Sequence, residues 1–254
     1  MNSSYEESFQ VRTYEADHHG LVRPVAILNY LQEVAGSHAE QLGFSVNALL
    51  SRGLTWIMSR SHVRFLCDAA VGDILRVRTW PSGRRGLHAM REYEVFDGSA
   101  RKVAAGTSSW VIVDIESKRP VRIEKVIPEY PPTARRALED DFAALPTLTA
   151  ADHELPFRVR LGDLDINQHV NNVVYAGWAL EAVPEEWQQT HRPAAIEIAY
   201  RSEAFFGDRV ISRVQACADG DARGFLHQLV SGTDGRELTR LRTFWREGAG
   251  HHAL

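Results

Sequence analysis

Asp165, Asn167 and His169 stand at alternate positions in the stretch Asp163-Leu164-Asp165-Ile166-Asn167-Gln168-His169-Val170-Asn171-Asn172. In an extended segment alternate side chains share a side, so this spacing would bring a carboxylate, an amide and an imidazole together. Such a set can take a proton and hold a polar substrate atom, as acid–base hydrolysis requires. Directly behind it Val173, Ala176, Gly177, Leu180 and Val183 fall at helical spacing, and Asn171 or Asn172 suits the N-cap. A loop-to-helix junction aims free backbone N–H groups and the positive end of the helix dipole at one place. That setting favours a developing oxyanion. Singly, each residue has a plainer account: Asn171 and Asn172 as turn and cap residues, His169 as a structural histidine, Asp165 as a turn residue. The triple is the signal.

The elements that must carry this loop come in two copies. Phe9 to Arg12 reads as a strand, and a polar turn over Glu15 to Gly20 follows it. An amphipathic helix is predicted from Pro24 to Gln41, with Val25, Leu28, Leu31, Ala35, His38 and Leu42 on its apolar face. A shift of 148 places then sets Phe9 on Phe157, Arg12 on Arg160, Asp17 on Asp165, Val25 on Val173, Tyr30 on Trp178 and Glu33 on Glu181. After the helix the shift becomes 135, with Val63 on Ile198, Phe65 on Tyr200 and Gly72-Asp73 on Gly207-Asp208. The thirteen extra residues of the first copy are expected around Phe44 to Thr55. A repeat of this length is a duplicated domain, not a solenoid unit. Strands are expected at Leu75–Trp80, Arg91–Phe96 and Val103–Val113, and again at Asp208–Val214, Gly224–Val230 and Leu238–Trp245. Each half is thus strand, helix, then antiparallel strands: an α+β arrangement. Residues 1–127 are read as an N-terminal domain, 128–155 as a linker and 156–254 as a C-terminal domain. The linker holds Tyr130-Pro131-Pro132 and an expected short helix over Ala134 to Phe142.

The stretch Asp165 to Asn172, with Tyr175, Trp178, Leu180-Glu181 and Val183-Pro184 behind it, resembles the signature of the plant and bacterial acyl-ACP thioesterases. Val11 to Glu15 leading to Leu28–Glu33, then Trp56-Ile57, Arg60, Gly72-Asp73 and Thr79–Gly83, agree in order. The likeness runs from about Phe9 to Trp245. It implies a tandem double hotdog, two antiparallel sheets each wrapped around a long central helix. It also implies a further acid in Tyr200-Arg201-Ser202-Glu203-Ala204. Glu203 matches the family's glutamate, whereas Ala204 replaces the cysteine of many plant members, so a thiol nucleophile at that place is excluded. The first half has His19 and Leu21 where the second has Asn167 and His169, although Asp17 persists opposite Asp165 and Asp68 lies opposite Glu203. One active site per chain is expected, in the second half. The first is expected to house the acyl tail, with Leu28, Leu31, Trp56 and Met58 as candidate walls and an ordinary core role as the plainer account of each.

The implied reaction is hydrolysis of fatty acyl-ACP. Glu203 or Asp165 would orient and deprotonate water with His169 in the same network, and a base set beside an apolar acyl chain would gain strength by desolvation. Asn167 and the backbone N–H groups would hold the oxyanion, one donor being worth on the order of 10²–10³ in rate. No metal or organic cofactor is implied. The partner would be an acyl carrier protein bearing a phosphopantetheine-linked chain. For its acidic surface, residues 84–125 offer nine Lys/Arg against six Asp/Glu.

The composition is globular, 44% hydrophobic and 24% charged, and a net charge of −4 gives no reason to expect nucleic acid. No apolar run approaches the ~20 residues of a membrane span. Met1 to Glu7 has neither a basic start nor an apolar core, so a signal peptide is not expected and a bacterial cytoplasmic location is. Cys67 and Cys217 suggest neither disulfide nor zinc site, and His251-His252 reads as a disordered tail. A monomeric pseudo-dimer and a homodimer both remain open. Competing readings are a hotdog acyl-CoA thioesterase, separable by carrier preference, and a non-catalytic acyl-binding hotdog protein, against which stands the retention of all four polar residues. A hotdog dehydratase is a third, without sign of a hydroxyacyl pocket.

Overall fold

The computed structural model describes residues 3–127, 133–219 and 222–248. Tyr130-Pro131-Pro132 and His251-His252 lie outside them. The chain divides into two compact units, Met1–Asp141 and Phe142–Leu254.

The first unit runs β1 (Tyr5–Gln10), α1 (Pro24–Gln41), α2 (Val46–Leu50), β2 (Leu54–Phe65), β3 (Ile74–Arg85), β4 (His88–Phe96), β5 (Lys102–Asp114), β6 (Pro120–Val121) and α3 (Ile123–Val126). Its antiparallel strands lie in the order β1-β3-β4-β5-β2, with β6 paired to β5. The second unit runs β7 (His153–Arg158), α4 (Asn172–Glu181), α5 (Glu185–Thr190), β8 (His191–Tyr200), β9 (Arg209–Asp219), β10 (Ala222–Ser231) and β11 (Glu237–Glu247). Its order, β7-β9-β10-β11-β8, repeats the same topology. Helix α1 packs on β1 and β3, and α4 on β9, β10 and β11. This is the expected α+β tandem double hotdog.

Helix α1 starts with Pro24 at its first turn, where a missing N–H costs nothing. It buries Ala26, Ile27, Leu28, Tyr30, Leu31, Val34, Ala35 and His38, while Val25 and Leu42 stay half-buried. The face is broader than the predicted stripe because the sheet curls round the helix and covers its flanks. Each large apolar side chain so enclosed contributes roughly 1.5–3 kcal/mol. Helix α4 is shorter but buries Val173, Tyr175, Ala176, Trp178 and Ala179 in the same way. Ring contacts repeat across the duplication: Phe9 stacks on Tyr30 at 4.6 Å, and Phe157 on Trp178 at 5.5 Å. So do core hydrogen bonds. Ser108 joins Tyr93 and Trp110 in the first unit, and Thr243 joins His227 and Trp245 in the second.

Three expectations are corrected. Strand β1 begins at Tyr5 rather than Phe9, because Tyr5, Glu6 and Glu7 already pair with Thr79, Arg78 and Val77. The extra residues of the first unit lie partly in the last two turns of α1, which outlasts α4, and not only around α2. The linker segment 133–152 contains no helix. Its polar groups are spent on the sheet instead: Thr133 N–H donates to Pro81, Ala137 N–H to Glu92, and the Arg136 guanidinium to Glu92 at 2.8 Å. Glu92 is fully buried and also accepts from Ser82 and Thr107, at 2.6 and 2.9 Å. Glu94 binds Lys102 at 2.7 Å and Arg135 beside it. This side-chain demand outcompetes a local helix.

The basic run 84–125 is also less available than its sequence suggests. Arg91 is buried, bonded to Thr79 and to His38 of α1, both at 3.1 Å. Arg101 and Lys102 are paired with Asp97 and Glu94. Among the candidate walls, Leu28 and Leu31 are buried, and Trp56 packs on the core cluster of Phe44, Leu49 and Ile112.

Candidate active site

The loop before α4 is a closed turn, not an extended segment. Asp165 N–H donates to His169 O at 2.8 Å, and Gln168 N–H donates back to Asp165 O at 3.0 Å. The Asp165 carboxylate Oδ1 accepts Asn167 N–H at 2.8 Å and His169 N–H at 3.4 Å. An aspartate folding its own backbone in this manner is an Asx turn. Gln168 takes φ +65°, a left-handed conformation that a turn of this shape demands. Asp165 is therefore the organiser of the loop.

The first unit repeats this turn with different letters. Asp17 Oδ1 accepts His19 N–H at 2.8 Å and Leu21 N–H at 3.1 Å, and Asp17 N–H donates to Leu21 O at 2.8 Å. Gly20, at φ +75°, stands where Gln168 does. The flanks agree too. Val22 N–H donates to Ala69 O at 2.8 Å, and Val170 N–H to Ala204 O at 3.1 Å.

What differs is the chemistry carried by the turn. In the second unit His169 Nδ1 lies 3.1 Å from Glu203 Oε1, the two side chains being 34% and 46% exposed. With Nδ1–H donating to the carboxylate, the imidazole lone pair is left on Nε2. Phe205 meets the ring edge-on, centroids 5.1 Å apart. Arg236 donates to the Glu203 carbonyl at 3.4 Å. The fold leaves Glu203 exposed.

Asn171, not Asn172, is the N-cap of α4, accepting Val173 N–H at 3.0 Å. The free N–H cluster expected at this junction is largely absent. Asn167 and His169 N–H go to Asp165 Oδ1, Gln168 N–H to Asp165 O, Val170 N–H to Ala204 O and Asn171 N–H to Asp163 O. Asn167 is carried on the same turn as His169. His169 and Glu203 are thus brought into contact, and Asp165 ties the backbone of the turn that carries His169 and Asn167. Sequence reasoning gave no role to Tyr175 or Phe205. A comparison of the halves would have singled them out, since Ile27 and Ala70 occupy those places in the first unit.

Two hotdog units in one chain, the second with a His–Glu pair at the head of its helix, define a double-hotdog protein with a candidate hydrolytic centre in its second unit. Residues 2–130 match the acyl-ACP thioesterase N-terminal domain, and residues 147–247 match the acyl-ACP thioesterase C-terminal domain. The chain belongs to the acyl-ACP thioesterase family. It is 31% identical to oleoyl-acyl carrier protein thioesterase 1, chloroplastic, of Arabidopsis thaliana, over 96% of this chain and 76% of that protein. The solved 12:0-ACP thioesterase from Umbellularia californica is 26% identical, with TM-score 0.87, over 98% of this chain and 99% of that one. An acyl-ACP thioesterase from Bacteroides thetaiotaomicron shares the fold at 23% identity, with TM-score 0.85, over 96% of this chain and 98% of that one.

Proposed function

We propose that this chain hydrolyses the thioester of a fatty acyl group carried on acyl carrier protein, releasing fatty acid and carrier, with His169 as base and Glu203 as its orienting partner. The observation that carries the reading is the 3.1 Å contact between His169 Nδ1 and Glu203 Oε1. It fixes the imidazole with Nε2 facing away from the carboxylate. Water attacks the thioester carbon as Nε2 takes its proton, and Glu203 stabilises the imidazolium. The carbonyl oxygen becomes an oxyanion beside the Asn167 amide, then re-forms the carbonyl as the carbon–sulfur bond breaks. The departing phosphopantetheine thiolate recovers the proton from His169. No covalent acyl-enzyme is required, in keeping with Ala204 at the place of a thiol.

The first unit is the proposed host of the acyl tail. Its turn carries Leu21 where His169 stands, and its interior is lined by apolar α1.

The test is turnover of a panel of acyl-ACPs and of matched acyl-CoAs by the wild type and by His169→Ala and Glu203→Gln. Turnover with higher kcat/KM on acyl-ACP, lost by orders of magnitude in both folded variants, is expected. Equal or higher kcat/KM on acyl-CoA would overturn the carrier assignment. Variants as active as wild type would overturn the site.

A further inference from the structure

Ala204 sits between the two residues that touch His169: Glu203, paired with its Nδ1, and Phe205, edge-on to its ring. Ala204 is buried and both its backbone groups are tied. Its carbonyl accepts Val170 N–H, from the residue after His169, at 3.1 Å. Its N–H donates to the Tyr175 hydroxyl of α4 at 3.0 Å. The first tie is common to both units, since Val22 N–H donates likewise to Ala69 O. The second belongs to the second unit alone, for Ile27 stands where Tyr175 does and has no hydroxyl to offer.

From this we infer that Tyr175 is a positioning residue of the thioesterase centre: its hydroxyl pins Ala204 to α4 and so sets the reach of Glu203 and the edge-on contact of Phe205 with His169. The inference rests on the His–Glu reading of the site. Tyr175 lies within a turn and a half of the loop, on a helix whose buried face fixes its ring against Trp178 and Tyr200. Burial raises the Tyr175 phenol well above its ordinary range, so it stays a neutral partner at every working pH. Free of this tie, Ala204 itself would keep only its carbonyl bond, with Glu203 held by Arg236 and Phe205 by Asp208 on either side. A displacement of about 1 Å is enough to cost on the order of 10²-fold in rate.

The experiment compares the full-length wild type with Tyr175→Phe, Glu203→Gln and Tyr30→Phe on acyl-ACP. Tyr30→Phe removes a phenol of the first unit that bonds Glu15 at 2.6 Å, and so controls for loss of any such hydroxyl. Tyr175→Phe is expected to lower kcat on the order of 10²-fold with KM changed less than about twofold, while Tyr30→Phe changes stability and leaves kcat within about threefold. In ¹⁵N spectra the His169 ring is expected to lose its single Nδ1–H tautomer in Tyr175→Phe. Wild-type kcat in Tyr175→Phe, with Glu203→Gln inactive, would overturn the positioning role and leave the site assignment standing. An active Glu203→Gln would overturn the site itself. Amide exchange in the wild type tests the tie without any variant: Ala204 N–H is expected to exchange far more slowly than Glu203 N–H, and equal rates would overturn the inference.

Discussion

Asp17 and Asp165 hold the same turn in the two units, each through one carboxylate oxygen that accepts the N–H groups two and four residues on. Only the second turn sets a histidine four residues after its aspartate, where the first has Leu21, so the shared aspartate serves the fold before it serves the chemistry. Asp17→Ala and Asp165→Ala should each lose about 1–2 kcal/mol in urea unfolding. Activity should fall steeply only in Asp165→Ala, where His169 loses its support. A folded, fully stable Asp165→Asn without activity would show that the carboxylate acts on substrate.

His169 and Glu203 should act as a unit. His169→Ala and Glu203→Gln are each expected to cost about 10²–10⁴ in kcat. The double variant should be little worse than the poorer single one, since an orienting carboxylate has nothing to orient once the ring is gone. Additive losses in the double-mutant cycle would mean two separate roles.

Catalysis should be indifferent to thiols. Cys67 and Cys217 are the only cysteines of the sequence, and Cys67 Sγ is spent on the Lys102 carbonyl at 3.2 Å. The variant with both changed to alanine should keep kcat within about twofold on acyl-ACP and resist alkylating agents. Loss of turnover with folding intact would revive a thiol mechanism.

Acid stability should carry the mark of His227. Burial pushes this imidazole down to about 3, and Thr243 holds its Nε2 at 2.9 Å. The unfolded chain protonates its histidine near pH 6.5, the folded one near 3, so between those values the unfolded state binds the extra proton. Stability therefore falls as pH falls through that window, by up to about 1.4 kcal/mol per pH unit from this group, and levels off below the folded value. His227→Gln should flatten the slope of unfolding free energy between pH 6.5 and 4. An unchanged slope would count against the neutral buried ring.

Glu92 should anchor the segment that leaves the first unit. It is enclosed by Ser82, Thr107, Arg136 and the Ala137 N–H. Glu92→Ala strands these partners and should cost about 3 kcal/mol, with faster proteolysis within residues 133–141. Unaltered proteolysis would show that the segment is held by other contacts.

Much of this was legible in the sequence because it lay in side-chain pattern. The repeat, the helix from Pro24, the strands and the grouping of His169 and Glu203 in one network follow from periodicity, residue type and likeness to a family. The shape of the loop was not legible. Alternate spacing of Asp165, Asn167 and His169 suggests an extended run, but aspartate can bond its own backbone, and that local bond won. The clue was Gly20 opposite Gln168, a glycine where a turn needs positive φ. The linker was misread for the opposite reason. A helix over 134–142 is locally reasonable, and buried Glu92 and Glu94, distant in sequence, claim its donors. The N–H groups expected at the head of α4 are taken mostly by the turn's own Asp165 and by Asp163, and one by the distant Ala204.

The turn at Asp17 to Leu21 is a socket already cut. It holds its shape with Leu21 where the second turn has His169 and His19 where it has Asn167, so the duplication left a scaffold whose construction is independent of those two contents. A redesign need not build a second loop. His19→Asn, Leu21→His, Ile27→Tyr and Asp68→Glu would write the missing groups onto an existing frame, a few letters from a chain with two working centres.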